Sequence, residues 1–297
     1  MKICVSGANG LVGKQFRCVA EKAGHTIVPM VRPSSQQSDG LSWDPKAGTI
    51  DLERLAEMDA VVHLAGESIA DGRWNAAKKA RILDSRRNGT KLIADTLASL
   101  ENGPRSFICA SAIGYYGDRS DEVLTEQSSI GTGFLADVCR QWEAACQSAK
   151  DAGVRTVNLR IGIVLSNEGG ALQKMVLPFK MGVGGVVGSG KQYWSWISID
   201  DLAGVLLHAV ESTNLNGPVN AVAPSAVTNR EFTKTLGKVL RRPTVFPLPA
   251  FIAQTVLGEM ARDLILSSAR VEPAQLANSG YTFQHRDLES ALRHVLK

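Results

Sequence analysis

The chain has 297 residues, 44% of them hydrophobic and 21% charged, with a formal net charge of +4. That composition excludes a collagen-like, a disordered or a small disulfide-stapled protein, and it fits one large domain or two smaller ones. The charge excess is small and dispersed, so neither nucleic acid nor a membrane surface is expected as a partner.

No apolar run reaches the roughly 18 residues that a membrane span needs. The five cysteines, Cys4, Cys18, Cys109, Cys139 and Cys146, contain no C-x-x-C pair. Free thiols packed in a reducing compartment are expected, with no metal centre. Met1 and Lys2 lead straight into an apolar stretch with no signal-peptide pattern, so a cytoplasmic location is expected.

In chain order, residues 2–6 read as a short buried strand followed by glycines. Residues 11–23 place Leu11, Val12, Phe16, Val19 and Ala20 at helical spacing, and Gly24 stands where a helix-ending glycine belongs. Residues 25–31 form a second apolar run, ended with the help of Pro33. Strand, helix and strand within about 30 residues make a right-handed βαβ unit.

The alternation continues with a strand at 59–65, a long helix at 75–100, a strand at 106–110, a helix at 134–152 and a strand at 156–164. This predicts an α/β fold, a doubly wound parallel Rossmann sheet. Residues 169–190 are glycine-rich and read as irregular. Residues 199–211 read as a helix opened by Asp200 and Asp201, and 216–223 as one more strand. The last 70 residues alternate helices with breaks at Pro243, Pro247, Pro249 and Pro273. The expected division is an NADP-binding domain over 1–165 with about 200–223, and a smaller, mainly helical substrate-side region and C-terminal domain over 166–199 and 224–297.

The strongest motif is Gly7-Ala8-Asn9-Gly10-Leu11-Val12-Gly13, set between the first strand and the first helix. Gly7 permits a tight turn, Gly10 lets a pyrophosphate approach the backbone, and Gly13 lets the helix pack closely on the sheet. The helix N-terminus adds N–H donors and the positive end of its dipole. Some 20 residues further on, an acidic residue would hold the ribose 2′-hydroxyl of NAD, and an arginine the 2′-phosphate of NADP. Here the strand ends Val31-Arg32-Pro33-Ser34, with no carboxylate. Arg32 would pair its fork with the phosphate beside the Ser34 hydroxyl, so NADP is the expected cofactor.

The G-x-x-G-x-x-G spacing resembles the short-chain dehydrogenase/reductase superfamily, in particular its extended branch of nucleotide-sugar epimerases and dehydratases. Further segments narrow the likeness. They include His63-Leu64-Ala65-Gly66, Glu67-Ser68-Ile69 with Arg73-Trp74, Asp84-Ser85-Arg86, Gly114-Tyr115-Tyr116-Gly117, Leu159-Arg160-Ile161, Gly188-Ser189-Gly190 and Ser195-Trp196-Ile197. In that order they resemble the atypical "epimerase family protein" group, whose members end in a small domain of uncharacterised function, here about residues 247–296. The resemblance implies that Val31, Arg32, His63, Leu64, Ala65, Gly66 and Arg86 lie along the cofactor. His63 itself reads as a packed strand-end histidine rather than a catalyst.

The sequence departs from the family where the chemistry should be. Extended reductases carry a tyrosine with a lysine four residues later, the ammonium lowering the phenol pKa. The tyrosines here are Tyr115, Tyr116, Tyr193 and Tyr281, and none has that lysine. With Glu143 as register mark, the expected positions hold Leu135 and Cys139. Ser111 stands one residue off the usual hydroxyl position, which along a strand turns a side chain to the other face. The acid or base candidates are therefore Tyr115, Tyr116 and Glu67, with Ser111 as an orienting hydroxyl.

Two further patterns are set aside. Gly185 to Lys191 nearly spells a P-loop, but Gln192 replaces the magnesium-binding hydroxyl. A loop over the substrate cleft is expected there, with Lys191, Tyr193 and Trp196 at its edge. Lys78, Lys79, Arg81, Arg86, Arg87 and Lys91 line one helix without interleaved aromatics, which reads as a solvated face that could pair two copies in a homodimer. The expected function is an NADP(H)-dependent oxidoreductase or epimerase-like enzyme on a small polar substrate of the sugar-nucleotide kind. The missing Tyr-Lys pair leaves a second reading, a non-catalytic NADP(H)-binding sensor or regulator.

Overall fold

A computed structural model describes residues 1–33 and 40–297. Ser34, expected beside the 2′-phosphate, lies outside the described residues. The main sheet contains β1 (Lys2–Ser6), β2 (Thr26–Val31), β3 (Leu41–Asp44), β4 (Thr49–Ile50), β5 (Ala60–His63), β6 (Ser106–Ala112), β7 (Arg155–Ile161) and β8 (Gly217–Ala221). Their order across the sheet is β8-β7-β6-β5-β1-β2-β3-β4. Every pairing is parallel except the β3–β4 hairpin at one edge. The chain runs outward from β1 through β3, then returns to build β5 on the other side of β1. That reversal opens a crevice at the carboxyl ends of β1 and β5, where ligands bind in such sheets.

The strands are apolar on both faces because helices cover both. Ile3, Val5, Val62 and Ile108 pack with Phe16 and Ala20 of α1 (Leu11–Lys22). The alternate residues Cys4, Val61, Phe107 and Cys109 pack with Ile93, Ala94 and Leu97 of α2 (Ala76–Ser99) and Trp142 of α3 (Phe134–Ala144). This is the two-sided burial that turns parallel strands into near-continuous hydrophobic runs.

Helix α1 ends where the sequence says it should. Gly24 adopts φ +85°, and the Gly24 and His25 amides donate back to the Glu21 and Ala20 carbonyls, both at 3.0 Å. A third core joins α4 (Gly170–Lys180), α6 (Asn229–Leu240) and α7 (Leu288–Val295) through Leu172, Val176, Phe179, Phe232, Leu236 and Leu292. Between α4 and α6, α5 (Ile199–Glu211) returns to the sheet and places Leu202, Val205 and Leu206 beside Phe16.

Four expectations are corrected. Residues 169–190 are not irregular throughout, since α4 occupies 170–180. Its apolar stripe of Leu172, Val176 and Phe179 is masked in sequence by the flanking glycines and by Pro178 inside the helix. The helix expected over 134–152 breaks after Ala144 and resumes as Gln147–Asp151. The strand expected over 156–164 divides at Gly162. Residues Ile163–Leu165 leave the sheet and pair with Trp196–Ser198, and a Cβ on Gly162 would fall 2.7 Å from the Ser195 carbonyl oxygen. Trp196 is fully buried in the third core, its indole N–H donating to Ser225 O at 2.9 Å, so it is no part of a cleft edge.

Candidate cofactor and substrate site

The glycine turn is shaped by backbone contact. Gly7 has φ +72°, and a Cβ there would lie 3.0 Å from the backbone of Leu64 and Ala65. A Cβ on Gly13 would lie 2.2 Å from the Gly7 carbonyl oxygen and 2.8 Å from Ala8 Cα. Only glycine allows α1 to start this close to β1 and β5. Gly10 is the N-cap and offers no side chain to the helix, so among the described residues no side chain caps the first-turn amides of Leu11 and Val12. Asn9 and Gly10 are exposed. The turn thus fits a pyrophosphate, with the helix dipole directed at it.

At the end of β2, Val31 is half-buried and Arg32 exposed. Arg32 has no hydrogen-bond or ion-pair partner among the described residues. At the end of β5, Ser6 and His63 form a buried pair, Ser6 Oγ to His63 Nδ1 at 2.5 Å. Ser6 Oγ also accepts from the Leu64 and Ala65 amides at 3.2 and 3.3 Å. It therefore donates its own hydrogen to Nδ1, which leaves the ring proton on Nε2. Burial, helped by the charge of Arg86, pushes the His63 pKa down to about 3. The ring is neutral and packs edge-on against Trp43. Ser6 was not singled out in the sequence, yet it fixes the exit of β5; a hydroxyl ending an apolar strand is the signal that could have found it.

Beyond β5 the chain passes over α2. Arg86 donates to the carbonyls of Glu67 at 3.0 Å and Ile82 at 3.1 Å, and lies over the Trp142 ring at 4.9 Å. A Cβ on Gly66 would meet its guanidinium carbon at 3.4 Å. Burial lowers its pKa from the usual arginine value, and its hydrogen bonds go to carbonyls rather than to carboxylates. Glu67 is held by Lys78 at 2.7 Å and Arg81 at 3.5 Å. The Lys78 hydrogen bond lowers its carboxyl pKa. The basic face of α2 is thus not simply solvated: Lys78 is buried, and Lys79 pairs with Glu259 at 2.9 Å.

The end of β6 carries a buried charged network. Ser111 Oγ donates to Glu143 Oε1 at 2.7 Å. Arg160 grips both oxygens of Glu143 at 2.8 Å and donates to Tyr116 Oη at 2.9 Å. Tyr116 Oη donates to Asn220 Oδ1 at 2.7 Å or to Thr125 O at 3.0 Å, the two acceptors sharing its one hydrogen. Burial raises the Tyr116 pKa, against the pull of Arg160. For Arg160 itself burial pulls downward, but the bonds to Glu143 prevail and raise its pKa.

Tyr116 is therefore tied down, while Tyr115 lies on the Arg160 guanidinium, 3.4 Å from ring centroid to guanidinium carbon. The Tyr115 hydroxyl has no hydrogen-bond partner among the described residues. In the sequence Arg160 stands within the family-like segment Leu159-Arg160-Ile161. A lone arginine inside a buried strand was the signal that it has a buried anion to meet. Leu135 and Cys139 pack under Gly114. Burial first, then Glu143, pushes the Cys139 thiol up to about 12.

The loop after Gly66 is clamped from the far side. Lys174 of α4 bonds Ala70 O at 2.7 Å and Asp71 at 2.9 Å. Arg73 donates to Thr255 O at 3.0 Å, and Trp74 packs against Phe134. Val187 and Gly188 of the glycine-rich loop lie against Leu248. Lys191 is exposed and Tyr193 half-buried. The C-terminal region thus reaches the same strand ends as the glycine turn.

A doubly wound sheet with a backbone phosphate cradle and a C-terminal wall over the strand ends defines a dinucleotide-binding protein of the extended short-chain dehydrogenase/reductase class. Residues 3–222 match the NAD dependent epimerase/dehydratase family, and the chain belongs to it; residues 248–295 match a domain of unknown function, DUF1731. The chain is 40% identical over 293 residues to Epimerase family protein Mb2239 of Mycobacterium bovis, covering 99% of this chain and 97% of that protein. It is 33% identical over 299 residues to the human epimerase family protein SDR39U1, covering 100% of both.

The crystal structure of human SDR39U1 (isoform2) with NADPH matches with a TM-score of 0.90 at 32% identity, over 99% of each chain. A nucleoside-diphosphate sugar epimerase from Corynebacterium glutamicum matches with 0.84 at 36% identity, over 100% of this chain and 58% of that one. UDP-glucose 4-epimerase from Thermotoga maritima, at 17% identity and a TM-score of 0.78, shares the fold. No helix among the described residues is long and apolar enough to cross a membrane.

Proposed function

We propose that the protein is an NADP(H)-dependent oxidoreductase or epimerase-like enzyme acting on a small polar substrate, with nucleotide sugars the first class to test. The observation that carries the cofactor choice is Arg32, exposed at the end of β2 with no carboxylate in that strand end. The NADPH in the similar human structure supports it. When bound, the nicotinamide supplies hydride chemistry.

In this reading the first-turn amides of Leu11 and Val12 hold the pyrophosphate, with Gly7, Asn9, Gly10 and Gly13 shaping the turn. Arg32 holds the 2′-phosphate from beside Val31. His63, Leu64, Ala65 and Gly66 form the floor under the ribose, and Arg86 braces that floor from α2. Tyr115 presents its phenol to the substrate from the Arg160 platform. Ser111 acts through Glu143 to set that platform, and Glu67 lines the entrance beside Lys78. Holding substrate and cofactor together away from water is the protein's own contribution.

The test is a fluorescence titration with NADPH and NADH, using Arg32→Ala as control, then turnover of a carbonyl and nucleotide-sugar panel. A preference for NADPH that Arg32→Ala abolishes supports the cofactor reading, and equal binding of NADH overturns it. Turnover that falls about 100-fold or more in Tyr115→Phe, with NADPH affinity unchanged, supports the acid or base assignment.

One observation favours a second reading. The two positions that should carry the tyrosine and lysine hold Leu135 and a Cys139 thiol that stays protonated. A non-catalytic NADP(H) sensor would bind the cofactor tightly and turn over no panel member.

A further inference from the structure

We propose that Asp200, His285 and His294 form a binding site for a divalent transition metal, with zinc the ion best suited to the donors. This site joins the C-terminal helix to the nucleotide-binding half, beside Leu11 and Gln15 of α1. Asp200 is the second residue of α5, His285 precedes α7, and His294 is in its last turn. One donor atom from each lies within 4.8 Å of the other two. His294 Nε2 is 2.8 Å from Asp200 Oδ2, and the two imidazole centroids are 4.5 Å apart. Two imidazoles and a carboxylate are a borderline nitrogen and oxygen donor set of the kind zinc takes, with a fourth position left for water.

The surroundings hold two of the three ligands in place. Asp201, fully buried beside Asp200, accepts from the Gln284 amide at 2.7 Å and the His285 amide at 3.0 Å. Ser198 Oγ donates to the same carboxylate at 2.7 Å, and Tyr281 Oη donates to its carbonyl at 2.9 Å. The backbone of His285 is thereby locked to the residue next to Asp200. Gln15 of α1 donates to Asp200 Oδ1 at 2.6 Å, which orients the carboxylate and leaves Oδ2 toward the histidines. On α7, Leu288, Ala291, Leu292 and Val295 are buried, so the helix is anchored and only the His294 side chain, 49% exposed, needs to swing. Zinc bonds near 2.0 Å place tetrahedral donors about 3.3 Å apart. The half-exposed His294 side chain has room to adjust toward that spacing. A cavity of about 170 Å³, lined by Gln15, Ser166, Asn167 and Glu168, opens beside Asp200 and His294 and leaves room for the fourth ligand.

The ligands are far apart in the chain, which hid them from a reading that expected no metal. Two other features could bind zinc: the exposed Cys18 thiol, and the Met1 amine with His25, at 3.3 Å, beside Glu211.

The test uses the full chain, stripped of metal and titrated with Zn²⁺ and Co²⁺. The expected result is one metal per chain, lost in His285→Ala and in His294→Ala, with both variants folded by circular dichroism. Gln15→Leu should weaken binding about tenfold while leaving the stoichiometry intact. Cys18→Ser and His25→Ala should change nothing. Cobalt should give tetrahedral visible bands with no thiolate charge-transfer band. Absence of binding overturns the proposal. So does binding that survives both histidine variants, or binding that is lost with Cys18→Ser or His25→Ala.

Discussion

The ends of β1 and β6 stand at the same edge of one sheet, yet they are built on opposite principles. After β1 the structure is made of backbone: three glycines, an uncapped helix and a carbonyl that a single Cβ on Gly13 would strike at 2.2 Å. After β6 it is made of side chains. Ser111, Glu143, Arg160, Tyr116 and Asn220 come from β6, α3, β7, the turn at 113–116 and β8, and are joined by bonds of 2.7 to 2.9 Å. The first region has no room for added volume, and the second holds charges that need their partners. The same edge thus sets a rigid glycine turn beside a polar network on which the half-buried Tyr115 rests.

The largest effect should come from breaking the platform. Arg160→Met removes the one ion-pair partner that Glu143, 14% exposed, has among the described residues. Leaving that carboxylate buried and unpaired should cost about 3–5 kcal/mol in urea unfolding. The double variant Glu143→Leu with Arg160→Met should recover most of it, because no charge is then stranded. A single variant within about 1 kcal/mol of the parent would show that water already compensates Glu143, and the contrast between the two regions would collapse.

A smaller effect is expected at the cradle. Gly13→Ala places a methyl against backbone atoms that cannot rotate away, so overpacking should cost about 1–3 kcal/mol. NADPH affinity should fall with it, because α1 must move off the turn that its first amides complete. Gly24→Ala, where a Cβ would meet nothing within 4 Å but φ is +85°, is the matched control. It should cost about 1 kcal/mol of strain with no loss of affinity. Equal losses of affinity in both would mean that helix stability, not the close approach at Gly13, governs binding.

This contrast explains what the sequence disclosed. Gly7, Gly10 and Gly13 act within seven residues, and the steric rule that demands glycine there is local. The same holds for Gly24 and for the buried face of α5. The platform is set by pairings between residues as distant as Tyr116 and Asn220, and no local rule reports them. Arg160 was visible only as an ill-fitting arginine in an apolar strand, and Glu143 only as a register mark. Helix α4 was missed because glycines and Pro178 hid a short apolar stripe. His285 and His294 came together with Asp200 only because buried Asp201 captures the chain at Gln284 and His285.

His63 lies between the two regions, tied to β1 through Ser6 and shadowed by Arg86. Its pKa is about 3 in the fold against 6.5 when unfolded. Between those values the unfolded chain binds the proton and the native chain does not. Stability from this group is therefore complete above about pH 6.5 and is lost as pH falls, by about 1.4 kcal/mol per unit toward pH 3. His208 is also lowered by burial, so the measurement is the difference in pH slope between the parent and His63→Gln. The parent should be steeper below pH 6.5 and parallel above it. Parallel slopes throughout would mean that His63 takes up a proton in place. That would require Ser6 Oγ to accept from a protonated Nδ1 instead of donating to it, and would move this histidine from the packed backbone side of the contrast to the titrating side.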